Sequence, residues 1–300
     1  MRFRLVPSML AFAILVGACS GDGTVPTSSG PRPAFESFGI APNRVGAKHI
    51  YVANSLLTNS SVTTYDAATG GQTPPTITMA VTNPYGIAFD ATDKHIYVAN
   101  GGSTTVTAYT AMGKQTAPTI KTGPATPTGV AVDRKGQIYV AAGNVTVYTA
   151  KGKRILTITD GVDAPYGVAV GANGKIYVVN TGVNSGKTYV STYMANGKRT
   201  TPTITSGLDY SDGVAVDSAG KIYVTNVGNN TVTTYTSNGK RTTPTIATGL
   251  AAPYGVAVDA SGKIYVTNSG NDTVTTYLKN GKETAPTLTG LSEPVGIAVH

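Results

Sequence analysis

The segment GLDYSDGVAVD, Gly207–Asp217, carries two carboxylates three residues apart, Asp209 and Asp212. A second segment, DGVDAPYG, supplies Asp160 and Asp163. Clustered carboxylates with backbone carbonyls nearby suit a hard cation such as Ca²⁺. Asp212 is therefore a candidate metal ligand, with Asp163 and Asp209 as companions. The same side chains also form Asx turns, bonding their own backbone two residues on, and the sequence leaves both roles open. Little other chemistry is available. His49, His95 and His300 fall into no Ser-His-Asp order, and no zinc spacing or phosphate-cradling glycine loop is present.

The elements that position these residues come from a repeat. Glycines opening G-[IV]-A-[VF] recur at Gly86, Gly129, Gly167, Gly213, Gly255 and Gly296. An IYV marker places Tyr51, Tyr97, Tyr139, Tyr177, Tyr223 and Tyr265, and runs such as TVTTY place Tyr65, Tyr109, Tyr148, Tyr193, Tyr235 and Tyr277. Most of the 17 tyrosines are thus architectural. Each period of roughly 38 to 47 residues reads as four short strands: a (GVAVD), b (IYVTN), c (TVTTY) and d (TPTI), joined by Gly-Lys and Asn-Gly turns. Pro75, Pro118, Pro202, Pro244 and Pro286 fall in strand d. Proline lacks a donor, so d is the outer strand, and the slim strand a suits a crowded centre.

Four-stranded units at this period predict an all-β chain, a β-propeller of four-stranded antiparallel blades. Six complete b-c-d sets are present, and EPVGIAVH at the end supplies a further strand a. Six blades result if Gly296 to His300 complete the first blade; a truncated seven-blade ring is the alternative. The strings PYGVAVDASGKIYVTNSGNDTV and DGVAVDSAGKIYVTNVGNNTV resemble NHL repeats, and IYVTN resembles the YVTN-type propeller repeat. The resemblance departs at the end of strand b, where NHL blades commonly carry Asp and this chain has Asn54, Asn100, Asn180, Asn226 and Asn268, with Ala142 once. These asparagines are expected to tie down the b–c loop. The span Asp212-Gly213 through Val224 is similar to a segment of six-bladed gluconolactonase and senescence-marker propellers. That resemblance implies a divalent ion held in the channel by Asp212. The family's NG ligand has no match, and its N-terminal Glu has only Glu36 as counterpart. The repeat also resembles that of virginiamycin B lyase-like propellers, but no His-Glu arrangement supports the lyase reaction.

Strand alternation puts the d–a and b–c connections on one face and the a–b and c–d turns on the other. From Arg44 onward, every Lys and Arg except Lys121 and Lys187 maps to the a–b/c–d face. The opposite face carries Asp160, Asp163, Asp209, Asp212, Asp272 and Glu293. The basic face suits an anionic envelope polymer, although duplication of one soluble Gly-Lys hairpin would produce the same pattern. The scattered lysines have no interleaved stacking platform, which argues against nucleic acid. On the acidic face, the residues preceding the strand-a glycines are Tyr85, Thr128, Tyr166, Asp212, Tyr254 and Val295. They should ring the mouth of the channel, making Tyr85, Tyr166 and Tyr254 candidate ligand contacts beside Asp163, Asp209 and Asp212.

The first residues give an address. MRFR is a positive n-region, and Leu5 to Val16 is a short apolar core ending in LVGAC. Cys19, the only cysteine of the 300 residues, resembles the lipidated cysteine of a bacterial lipoprotein. Residues 1–18 then form a signal peptide, 19–35 a Gly/Ser/Thr/Pro-rich tether, and 36–300 the propeller. Ser20 after the cysteine implies the outer membrane of the cell envelope. The functional expectation is a lipid-anchored monomer that binds a protein, peptide or glycan without catalysis. The alternative is a metal-dependent, lactonase-like hydrolase at the channel.

Overall fold

The computed structural model describes residues 49–56 and 58–300. The lipidation candidate Cys19, the signal and tether segments, and Glu36 lie outside the described residues. Contacts divide the chain into Met1–Asn43 and Arg44–His300, and the described residues belong to the second unit.

Among the described residues there are twenty-four strands, numbered β1–β24 in chain order, and no helix. They form six antiparallel sheets of four, in the a-b-c-d order that the repeat predicts. The inner strands are β4 (Pro84–Asp90), β8 (Gly129–Val132), β12 (Pro165–Val170), β16 (Ser211–Val216), β20 (Pro253–Val258) and β24 (Pro294–Val299). β24 pairs with β1 (His49–Asn54) in the register Ile50↔Val299, Val52↔Ile297, and His49 and His300 exchange two hydrogen bonds of 2.9 Å. The last strand therefore completes the first blade, and the ring has six blades, not seven.

Core packing lies between blades. Strand b is buried along its length because it faces a neighbouring blade on each side. Tyr139, Val145 and Ile158 of the third blade interdigitate with Val168, Val178 and Tyr193 of the fourth. The same layer closes the ring, where Ile50, Val52 and Tyr65 meet Tyr265, Val274 and Leu288. The outer prolines take part: the c–d turn glycines Gly70, Gly113, Gly152, Gly239 and Gly281 pack on Pro286, Pro75, Pro118, Pro202 and Pro244 of the preceding blade, leaving no room for a Cβ. At the prolines the c–d register slips, and Thr64, Thr192, Thr234 and Thr276 donate to the carbonyls of Pro75, Pro202, Pro244 and Pro286 at 2.6–2.7 Å. Buried carbonyls need a donor, and the strand-c threonine supplies it.

The strand-b asparagines hold the d–a connection and strand c, not the b–c loop expected from the sequence. Their Oδ1 atoms accept from the d–a connection (Thr82, Asp163, Asp209, Ala251 and Ser292 N–H at 2.9–3.3 Å), while Nδ2 of Asn180, Asn226 and Asn268 donates to strand c. An Asp could accept but not donate, so the amide suits this slot better than the carboxylate of NHL blades.

Candidate binding site at the channel mouth

A bulge aims the mouth residues into the channel. In β16, Ser211 pairs with Asn226 and Val214 with Val224, so Asp212 and Gly213 crowd the space opposite Thr225. The same slip occurs in β4, β12, β20 and β24. Bulges bend a strand and re-aim side chains; here the inner strands begin at the preceding Pro or Ser, earlier than the sequence pattern suggested. In the fifth and sixth blades the bulge glycine finds a hydroxyl. Gly213 N–H donates to Thr225 Oγ1 at 2.8 Å, and that hydroxyl donates on to the Tyr254 carbonyl at 2.7 Å. Thr267 repeats the pattern with Gly255 and Val295. The glycines themselves are compulsory: a Cβ on Gly167, Gly213, Gly255 or Gly296 would collide with a carbonyl of the next inner strand.

Three rings of residues result. Tyr85, Thr128, Tyr166, Asp212, Tyr254 and Val295 form the mouth, the six glycines a waist, and Ile87, Val130, Val168, Val214, Val256 and Ile297 an apolar floor. Together they enclose about 80 Å³. Tyr85 and Tyr166 meet edge to face, centroids 5.9 Å apart. Burial pushes the Tyr166 phenol up, reinforced by Tyr85, Asp212 and Tyr254. The Tyr254 phenol rises for the same reason, with Asp212, Tyr85 and Glu293 adding to it. Asp212 is the one ionisable carboxylate in this lining, and burial raises its pKa to about 7.

Sequence reasoning placed Asp163 and Asp209 beside Asp212, and the structure separates them. Asp163 clamps the b–c connection of the fourth blade: its carboxylate accepts from Asn184 N–H at 3.2 Å, Asn184 Nδ2 at 2.5 Å and Ser185 N–H at 2.9 Å. Burial opposes its ionisation, but these hydrogen bonds outweigh burial and hold the carboxyl below the usual range. Asp209 lines a groove outside the mouth, packed on Gly228. Ca²⁺ seeks six to eight oxygens, several from carboxylates, and the mouth offers one carboxyl group. Among the described residues no three His, Cys, Asp or Glu side chains come together to hold a metal. The donors among the described residues do not fit the divalent ion.

The groove is the part that sequence reasoning missed. From Tyr166, Asp212 and Tyr254 it runs outward past Thr181, Thr188 and Tyr210, a space of about 380 Å³. It continues between Val183, Lys187, Leu208 and Asp209, about 540 Å³. The long connection Thr181–Thr188 forms one wall. Tyr210 projects from the other, 77% exposed, with φ of 44°. Equivalent d–a positions, Asn83, Ala164, Ala252 and Glu293, share this left-handed backbone and accept from the first residue after strand b. A bulky residue in that region is an outlier. The signal in the sequence was a Tyr standing where sister copies have Ala164 and Ala252.

The opposite mouth is differently built. Asp133, Asp217 and Asp259 accept from a–b turn amides and the strand-b phenols of Tyr139, Tyr223 and Tyr265. His300 stacks on Phe89 there at 4.1 Å, and Lys94 Nζ lies 3.4 Å from its Nε2. No histidine lines the acidic-face mouth. The basic face is modified in one respect: the guanidinium groups of Arg199 and Arg241 pack against Gly161 and Gly207 of the d–a connections.

No family model matches this chain, and no curated protein matches it. Solved structures share its fold. A chain of the nidogen/laminin complex superposes with a TM-score of 0.71 at 18% identity, over 84% of this chain and 98% of that one. A protein of unknown function from Bacteroides caccae gives 0.67 at 13% identity, covering 84% and 98%. A streptogramin B lyase structure gives 0.62 at 13% identity, covering 83% of each.

Proposed function

We propose that this chain is a non-catalytic binding propeller, lipid-anchored through Cys19 to a bacterial envelope, whose polypeptide partner docks across the acidic-face mouth and the adjoining groove. Tyr210 carries the reading. An aromatic ring held exposed in a left-handed backbone costs roughly 1 kcal/mol or more, and exposed tyrosines are characteristic anchors of protein interfaces. Its neighbours, Val183 at 76% exposure and Leu208, extend the apolar strip along the groove. The nidogen/laminin structure is itself a protein complex, which favours a polypeptide over a glycan.

A photo-crosslinking amino acid in place of Tyr210 tests this in cells. Crosslinks to a discrete protein are expected from position 210 and not from position 112, since Met112 is 86% exposed in a c–d turn on the other face. Equal labelling from both positions, or none from 210, defeats the proposal.

A second reading rests on Asp212. A carboxyl group that titrates near 7 inside a cleft is poised for acid–base work. Hydrolysis at this mouth would then use Asp212 itself, since among the described residues the metal-dependent form finds no further carboxylate ligand. Turnover of a lactone panel that disappears in Asp212→Asn would put this reading first.

A further inference from the structure

We infer that Tyr85, Tyr166, Tyr254 and Asp212 form a cage for an organic ammonium group. The inference rests on the binding reading above and names what the mouth accepts. Three phenol rings from separate blades and one carboxylate converge on a cavity of about 80 Å³. That space suits one compact head group, since a single water needs only about 10–15 Å³ of it. No Lys, Arg or His lines it, and its floor is wholly apolar.

The chemistry selects the guest. An anion would meet a carboxylate and no cationic partner. A divalent metal would find one carboxylate where it needs several. A neutral apolar group would leave the Asp212 carboxylate with neither water nor a partner, a costly state. An ammonium meets the carboxylate electrostatically and the tyrosine faces through cation–π attraction, and aromatic cages of this composition recognise such cations. The groove beside the mouth also bears Asp209, while Lys187 lies at its outer end.

The groups around Asp212 are Tyr166 and Tyr254 from the neighbouring inner strands β12 and β20 and Tyr85 from β4 across the ring, with Glu293 acting on Tyr254 from the connection into β24. Tyr166 and Tyr254, their phenols pushed up by burial, remain neutral near pH 7. Asp212 therefore sets the pH response. The cation prefers the ionised carboxylate, so affinity rises roughly tenfold from pH 6 to pH 8, with proton release.

Calorimetry on the full-length protein tests the cage with three probes at both pH values: choline, Nα-acetyl-lysine amide, and 3,3-dimethyl-1-butanol as the neutral isostere of choline. Binding of at least one cation and silence of the isostere are expected, and which cation binds separates a quaternary head group from a lysine side chain. Asp212→Asn should weaken binding at least tenfold and abolish the pH dependence. Tyr254→Phe should retain binding and Tyr254→Leu should lose it, a contrast that a merely structural role would not produce. The cage is overturned if the isostere binds as well as choline, if Asp212→Asn binds like the parent, or if neither cation binds at about 20 mM. Crosslinking from position 210 is independent of these probes. Crosslinks with silent cations would sink the cage and leave the docking reading, and bound cations without crosslinks would do the reverse.

Discussion

Asp212 is half-buried, its carboxylate has lost part of its hydration, and no described side chain donates a hydrogen bond to replace it. Its folded-state pKa of about 7 lies above the unfolded value near 3.9. Between those values the folded state holds the extra proton, so stability falls as pH rises through the window and the cost is complete above 7. That cost at pH 8 is on the order of 3–4 kcal/mol. Asp212→Asn should therefore raise Tm by several degrees at pH 8 and barely move it at pH 4. Thermal unfolding at both pH values checks this, and an equal shift at both would refute the burial argument. The mouth ring was legible in the sequence because its slot repeats: Tyr85, Tyr166, Asp212 and Tyr254 sit at one fixed offset from a glycine, and the structure brings all four together. Asp163 and Asp209 lie outside that ring, in surroundings that do not repeat. Asn184 and Ser185, which occupy Asp163, belong to a connection with no counterpart in the other blades.

At the scale of the strand, the bulge and its hydroxyl decide where the mouth residues stand. Thr225 is fully buried and bridges two blades, accepting from Gly213 and donating to the Tyr254 carbonyl, which places it under both Asp212 and Tyr254. The corresponding positions in the other blades are Ala53, Ala99, Ala141 and Val179, and only Thr267 repeats the bridge. Thr225→Val keeps the shape and β-branching but leaves a buried N–H and a carbonyl without this partner. The expected loss is about 1–3 kcal/mol, read from denaturant midpoints, together with weaker ligand binding at the mouth. A neutral effect would mean that the bulge is held by packing alone. Strand order and the outer position of the prolines followed from composition and turn chemistry. The bulge did not, because one extra residue shifts hydrogen-bond register without disturbing the GVAV pattern from which the strand was read.

Closure is a property of the whole ring, and it rests on β24. This strand fills the inner place of the first sheet, seats Gly296 against the Tyr85 carbonyl of β4, and delivers Val295 to the mouth. Removing Pro294–His300 would expose the inner edge of β1, which carries Ile50, Val52 and the rest of the closing layer. An exposed, apolar strand edge is a template for association. The truncated chain should therefore lose cooperative unfolding and aggregate. A permuted chain that places Pro294–His300 ahead of His49 separates the two contributions, because His300 and His49 already exchange both hydrogen bonds and a short turn can join them. If completing the sheet is what matters, the permutant regains a single cooperative transition although its ring is no longer latched by a strand from the far end of the chain. If it stays aggregated, the latch between first and last blades supplies the stability. A truncated chain that melts like the parent would show that the remaining inter-blade layers hold the ring without β24.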